Sequence, residues 1–253
     1  MVNWSAEHLD PWLTEPSRAA VLLDFDGTLS AIVTDPELAR PLDGAREVLT
    51  ALVARYRLVA VISGRPAAFL AAQLPVPGLE RWGSYGLERV LDGAVELAEE
   101  ARPWVPVVAS AVARARASAP AGVGVEDKGV SLTLHFRTAP EAEGWVRAFA
   151  EQEAAATGLV VEGARMSVEL RPPLPVDKGS VVGRLVLDAV VSAACFVGDD
   201  RGDVAAFRAL DGLPAALRVA VGSDESPPEL LAAADVVVEG PAGVLELLSA
   251  LAG

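Results

Sequence analysis

Short apolar runs alternate along this chain with stretches in which Ala, Leu, Val and Arg recur at helical spacing. Over the first hundred residues Ala20–Leu23 and Leu58–Ile62 predict strands, and a further strand is predicted near Glu80–Gly83. Gly44–Arg55 and Pro66–Gln73 predict the helices between them. The strand runs are almost unbroken in apolar character, which is the pattern of strands buried on both faces in a parallel sheet. The same grammar returns late in the chain. Ala193–Val197, Leu217–Val221 and Asp235–Val238 predict strands, and helices are predicted from about Val204 to Leu210, over Pro227–Ala233 and over Ala242–Leu251. In a sheet built this way, functional groups gather at the C-terminal ends of the strands.

Between these halves the order changes. From about Pro103 to Pro173 it reads helix (Val105–Ala117), strand (Gly122–Asp127), strand (Val130–Arg137), helix (Glu141–Ala156), strand (Leu159–Glu162), strand (Ser167–Arg171). Glu126-Asp127-Lys128-Gly129 carries turn residues between two β-rich runs. Ser131 to Arg137 alternates polar with apolar, as in a sheet with one wet face. The expected architecture is therefore α/β: a Rossmann-like core with a parallel sheet, from residues 1–102 and 175–253, and an inserted α+β module from residues 103–174. Arg102-Pro103-Trp104-Val105-Pro106 and Arg171-Pro172-Pro173-Leu174-Pro175 mark the two joints, and both are expected to be stiff and to continue neither a strand nor a helix.

Composition narrows the class. Of 253 residues, 52% are hydrophobic, enough for one large domain or two smaller ones with proper cores. Lys and Arg total 21 against 35 Asp and Glu, and the net charge of -14 disfavours nucleic acid and anionic membranes as partners. A small anionic substrate would need local cations. The single cysteine, Cys195, forms no internal disulfide, and its apolar setting predicts a buried thiol in a reducing compartment. Residues 1–8 lack a basic stretch followed by an apolar one, and no segment approaches the ~18 apolar residues of a membrane span. A cytoplasmic monomer is the expectation. His8 and His135 are scattered and take no ligand role, and the tryptophans, Trp104 and Trp145 among them, are read as packing residues.

Four segments then carry chemistry. In Asp24-Phe25-Asp26-Gly27-Thr28, two acids one residue apart follow a strand and share one side of an extended chain. Such carboxylates repel unless a cation lies between them or one is protonated, and oxygen ligands suit Mg²⁺; the plain alternative is a solvated Asp-Gly turn. Ser63-Gly64-Arg65-Pro66 puts a hydroxyl and a guanidinium at a strand-to-helix turn suited to a phosphate, although Ser63 alone is also a common helix cap. Lys178, in Asp177-Lys178-Gly179-Ser180, is a cation in a first helical turn, where the macrodipole favours anions. Either it neutralises a phosphoryl group and a carboxylate nucleophile, or it is simply solvated. Gly198-Asp199-Asp200-Arg201-Gly202-Asp203 delivers three acids at the end of a buried-type strand, as metal ligands or, for Asp200 and Asp203, as helix caps.

At these residues the chain resembles the haloacid-dehalogenase superfamily. With Glu126 to Arg137 and Val168-Glu169-Leu170-Arg171-Pro172, it is similar to the trehalose-6-phosphate phosphatase family within it, from about Arg18 to Leu251. The resemblance implies Mg²⁺-dependent hydrolysis of a sugar phosphate, trehalose 6-phosphate, with a mobile cap over the core. By position, Asp24 is then the nucleophile and Asp26 the general acid and base. The metal is held by Asp24, the carbonyl of Asp26 and Asp199, with Asp203 supporting it or Lys178. Ser63 and Lys178 grip phosphoryl oxygens, helped by the backbone at Gly27 and by Gly64 and Arg65 of the same loop, while Glu126, Lys128 and Glu169 reach sugar hydroxyls. The chain departs from the family in two places. Gly202-Asp203-Val204 stands where Thr-Asp-Glu is usual, and Gly83-Ser84-Tyr85-Gly86 where Gly-x-His-Gly is frequent. Another sugar phosphate, such as sucrose 6-phosphate or a mannosyl- or glucosyl-phosphoglycerate, is the alternative substrate, and a non-catalytic phosphosugar sensor is the alternative of another class.

Overall fold

A computed structural model describes residues 4–33, 36–164, 166–223 and 226–253. Residues 1–3, part of the amino-terminal stretch read above for a leader, lie outside the described residues. The elements in chain order begin with α1 (Ala6–Thr14), β1 (Ala19–Leu23), α2 (Ala45–Arg55), β2 (Leu58–Ile62), α3 (Ala67–Gln73), β3 (Glu80–Gly83), β4 (Glu88–Leu91) and β5 (Ala94–Leu97). They continue with α4 (Val105–Ser118), β6 (Gly124–Asp127), β7 (Leu132–His135), α5 (Glu143–Thr157), β8 (Val160–Ala164) and β9 (Ser167–Arg171). The last are α6 (Lys178–Ala189), β10 (Ala193–Gly198), α7 (Asp203–Arg208), β11 (Ala215–Gly222), α8 (Pro228–Ala233), β12 (Val236–Glu239) and α9 (Gly240–Ala252). Two compact units result, one from residues 1–95 and 176–253 and the other from residues 96–175.

The larger unit is a mixed sheet in the order β12-β11-β10-β1-β2-β3-β4-β5. From β12 to β3 neighbouring strands run parallel, with Val21 beside Cys195 on one side and Val59 on the other. Alternate residues of the central strands enter opposite cores. Val21, Leu23, Val59, Val61, Cys195 and Val197 pack with Leu9 and Trp12 of α1, Leu49 and Leu52 of α2, and Leu247 and Leu251 of α9. Ala20, Leu22, Ala60, Ile62, Ala194 and Phe196 pack with Val181, Val182 and Leu185 of α6 and Phe207 of α7. Burial on both faces is why these strands read as continuous apolar runs.

The sheet is not parallel throughout. β4 runs antiparallel to β3, and β5 lies beyond it. The pair is joined by Asp92 and Gly93, both left-handed at φ of 51° and 80°, which is the conformation a two-residue hairpin turn demands. A helix not predicted, α1, precedes β1 and is tied to it by Trp12, whose indole nitrogen donates to Ala20 O at 3.0 Å.

The smaller unit is an antiparallel sheet in the order β6-β7-β9-β8. Leu132, Leu134, Val168 and Leu170 meet α4 and α5 through Val108, Val112, Val146 and Ala150. The opposite, polar face is only partly wet, against what its alternation predicts: Ser131, Thr133, Ser167 and Glu169 are buried, whereas Glu126 and His135 are half-buried and Glu162 is exposed. Ser131 and Lys128 bond to Glu169, which is how such groups tolerate burial. The leading proline joint also differs from expectation. Pro103 lies inside a single 3₁₀ stretch, Glu99–Trp104, and Pro106 in the first turn of α4, where the missing N–H removes no helix bond. The second joint, between β9 and α6, has no regular structure.

Candidate active site

β1 ends by placing Asp24 beside β10, with Asp24 N donating to Val197 O at 2.9 Å. The turn that follows is tight, because Leu29 N and Ser30 N both donate to Phe25 O, at 2.8 and 3.0 Å. Phe25 points into the core, edge-on to Phe69. Gly27 has φ of 69°, and a Cβ there would collide with the Asp199 carboxylate. Glycine is therefore needed twice over: for the left-handed turn and for the approach of the second acidic segment to the first. At Gly198 a Cβ would collide with the Asp203 carboxylate in the same way.

Lys178 opens α6, and its neighbours explain a cation there. Its side chain is 2% exposed, with Nζ 2.9 Å from Asp24 Oδ2, 2.7 Å from Asp203 Oδ1 and 3.7 Å from Asp200 Oδ1. The solvated alternative for this lysine is thereby excluded. Asp177 caps the helix instead, accepting from Ser180 N at 2.7 Å while Ser180 Oγ takes Asp177 N at 3.0 Å. Gly179 lets α6 approach α7, since a Cβ would lie 2.6 Å from Ala205 O. Asp200 and Asp203 interlock, each backbone N–H donating to the other's carboxylate, at 3.0 and 3.1 Å. Val204, where the resemblance expects a glutamate, is buried in the core with Phe207.

Asp24, Asp199 and Asp203 each present a carboxylate oxygen, all within 4.8 Å of one another. An all-oxygen anionic set of this kind fits a hard divalent cation. Without one, burial pushes the Asp24 carboxyl up to about 8 against the pull of Lys178, and burial with the charges of Asp203 and Asp200 pushes Asp199 up to about 8. Burial works to discharge Lys178, but Asp200, Asp203 and Asp24 more than offset it, and its pKa stands well above the ordinary lysine value.

Asp26 stands apart from that trio. Both its oxygens accept from Arg65, Nε to Oδ2 and Nη2 to Oδ1, each at 2.7 Å. Arg65, expected on the substrate, is thus engaged with a carboxylate; it also donates to Pro36 O at 2.8 Å and lies 4.8 Å from the Phe69 ring centre. Ser63 is buried and its Oγ accepts from Arg65 N at 3.2 Å. It does not cap α3: the first helical N–H, of Ala67, is taken by Glu88 at 2.9 Å. At Gly64 a Cβ would lie 2.7 Å from the end of the Tyr85 ring, so a side chain there would have to displace that ring.

In the smaller unit Glu126, Thr133, Glu169 and Glu162 form one cross-strand row. Lys128 Nζ is 3.4 Å from Glu169 Oε1, which also accepts from Ser131 Oγ at 2.6 Å, and Glu126 Oε2 lies 2.8 Å from His135 Nε2. Glu126, Lys128 and Glu169 therefore share one face. Ser131, Glu88 and Thr28 were not singled out by sequence reasoning, and His135 was set aside as a scattered histidine. Only Ser131 and His135 carried a signal, the alternation that sets them on the face of Glu126 and Glu169. The Thr28 hydroxyl is fully buried without a hydrogen-bond partner among the described residues.

Acids at the C-terminal ends of β1 and β10, a lysine at the head of α6 and a strand-to-helix hydroxyl on a doubly wound sheet define a haloacid-dehalogenase-like protein. The chain belongs to the trehalose-phosphatase family, whose model matches residues 22–229. It is 36% identical over 250 residues to the trehalose-phosphate phosphatase of Mycobacterium marinum, an alignment covering 95% of this chain and 63% of that protein. It is 38% identical over 208 residues to that of Mycobacterium avium, covering 77% of this chain and 52% of the relative. The C-terminal domain of C. albicans trehalose-6-phosphate phosphatase has the same fold, with a TM-score of 0.80 at 24% identity over 98% of this chain and 96% of that one. The chain thus spans about half to two thirds of the length of these curated relatives. Among the described residues no helix is long and apolar enough to cross a membrane.

Proposed function

We propose that this chain is a Mg²⁺-dependent phosphatase that hydrolyses trehalose 6-phosphate to trehalose and phosphate. The reading rests on one observation above all: within a trehalose-phosphatase family fold, Asp24, Lys178, Asp199 and Asp203 converge although 175 residues separate Asp24 from Asp199 in the chain. Asp24 is the nucleophile. A carboxylate oxygen bonds to phosphorus as the bond from phosphorus to the sugar oxygen breaks, and Asp26 gives that oxygen its proton. Water then bonds to phosphorus while the bond to Asp24 breaks, and Asp26 recovers a proton from the water. Both oxygens of Asp26 are taken up by the Arg65 fork, so the fork must open before Asp26 can meet the leaving oxygen. Lys178 and Ser63 take phosphoryl oxygens, with Gly27, Gly64 and Arg65 shaping the surrounding backbone. Asp24, the carbonyl of Asp26, Asp199 and Asp203 are the groups offered to Mg²⁺, which when bound supplies fixed positive charge for the transferring group.

Glu126, Lys128 and Glu169 are assigned to sugar hydroxyls, and substitutions there should raise KM for the sugar phosphate while sparing p-nitrophenyl phosphate. The direct test is phosphate release from trehalose 6-phosphate with Mg²⁺ and with EDTA. Asp24→Asn should remove turnover and leave the circular dichroism spectrum unchanged; a folded variant of full activity removes the nucleophile assignment. A panel including sucrose 6-phosphate and mannosyl- and glucosyl-phosphoglycerate decides the substrate, by rank in kcat/KM.

A further inference from the structure

The Ser63-Gly64-Arg65 loop is backed by an unusual turn. Ser84 and Tyr85 adopt left-handed φ of 50° and 57°, and Gly86 follows at 107°. Two adjacent side-chain-bearing residues in this region persist only where their surroundings over-determine them, and such strain concentrates at functional sites. The surroundings are explicit. Tyr85 N donates to Ser63 O at 3.0 Å and Ser84 N donates to Arg65 O at 2.8 Å, so the carbonyls on either side of Gly64 both end on this turn. Ser63 N in turn donates to Trp82 O at 2.9 Å. The Tyr85 ring closes the arrangement, its hydroxyl end lying against Gly64.

One side chain fastens the turn from behind. Glu88, the first residue of β4, accepts from Ser84 Oγ at 3.0 Å and from Ala67 N at 2.9 Å, both on Oε2. The Ala67 N–H is one that a helix start leaves without a partner, and no residue of the loop supplies a side-chain cap. Gly83 brings the strand and the helix start together, since a Cβ there would collide with Ala67 N. Glu88 therefore ties the left-handed turn to the head of α3, and the loop strung between them carries Ser63 and the Arg65 fork that holds Asp26 at 2.7 Å.

The geometry points to Glu88 as a positioning residue for the phosphate-binding loop: through Ser84 and Ala67 its carboxylate fixes the backbone that carries Ser63 and Arg65. The inference rests on the reading above that this loop takes the phosphoryl group. It predicts a pattern that a merely stabilising residue does not give. Displacing a binding group by about 1 Å costs up to a hundredfold. Glu88→Ala should therefore weaken orthophosphate binding in the presence of Mg²⁺, followed by calorimetry, about ten- to a hundredfold, and lower kcat on p-nitrophenyl phosphate by a similar factor. Glu88→Gln keeps an oxygen for both donors and should restore both quantities to within about threefold of the parent protein. Ser84→Ala, which removes one of the two bonds and leaves the helix cap, should fall between them and stands in for Glu88→Ala if that variant does not fold. Orthophosphate affinity and kcat unchanged within twofold in folded Glu88→Ala or Ser84→Ala, whatever the melting temperature, overturn the proposal. A parent protein that binds no orthophosphate overturns it together with the site. A parent that binds orthophosphate and turns over p-nitrophenyl phosphate but not trehalose 6-phosphate overturns the substrate reading alone.

Discussion

Gly27 and Lys178 show how a few atoms hold the site together. A side chain at Gly27 would have to adopt φ of 69° and would drive into Asp199, so Gly27→Ala should separate the two acidic segments. The left-handed conformation alone costs about 1–2 kcal/mol. We expect Gly27→Ala to fold, to bind Mg²⁺ at least tenfold more weakly by calorimetric titration, and to lose turnover in proportion; unchanged Mg²⁺ affinity would contradict the proposed site. Lys178 is the cation that three carboxylates share. Removing one partner of a buried ion pair costs about 3–5 kcal/mol, so Lys178→Met should show a loss of that order in urea unfolding without metal. Added Mg²⁺ should return part of it. Each of these acids and the lysine was legible in the chain, because a carboxylate after an apolar strand, or a cation in a first helical turn, conflicts with local physics. The fork from Arg65 to Asp26 was not legible. It depends on where two loops 39 residues apart meet, and the sequence pattern assigns Arg65 to a phosphate equally well.

Elements were legible where burial imposed a period. The central strands, apolar throughout because helices cover both faces, match their expected spans within a residue or two. The hairpin of β4 and β5 was missed although Asp92-Gly93 is the sequence of a two-residue turn, because mixed charge and an exposed β5 weaken the alternation around it. α1 was missed for a related reason: it contains Pro11, and its apolar pattern is short, carried by Leu9, Trp12 and Leu13. In the smaller unit the two helices are joined by an ion pair that sequence gives no means of pairing. Arg114 of α4 donates to both oxygens of the buried Glu153 of α5, at 2.7 and 2.6 Å. Arg114→Ala would leave that carboxylate without its fork, at a cost of about 1–3 kcal/mol. Arg114→Lys should recover only part of the loss, because an ammonium cannot bind both oxygens in one plane. Chemical unfolding of the three proteins checks this ordering, and equal stability of the lysine and alanine variants would refute the role given to the fork.

At the scale of the whole molecule, a chain of net charge -14 gathers its acids where a divalent cation can neutralise them, and this couples metal, proton and fold. In the absence of metal Asp24 and Asp199 hold protons up to a pKa of about 8, against 3.8 for an ordinary aspartate. Between those values the folded protein binds more protons than the unfolded chain. The linkage sign follows: the contribution of both groups is fully present below pH ~4 and is lost as pH rises through ~8, so the metal-free fold should weaken over that interval. Mg²⁺ requires both carboxylates ionised and must displace those protons, so its affinity should rise with pH and level off above ~8. Calorimetric titration at pH 6 and pH 8 should differ by at least about tenfold in Kd, with proton release at the lower pH detectable as a dependence of the heat on buffer ionisation. The rise in Tm on adding saturating Mg²⁺ should also be larger at pH 8 than at pH 6, because a fixed Mg²⁺ concentration then stands further above Kd. A Mg²⁺ affinity that stays constant from pH 6 to pH 8 would mean that the ion does not bind at Asp24 and Asp199, and the proposed chemistry would lose its charge.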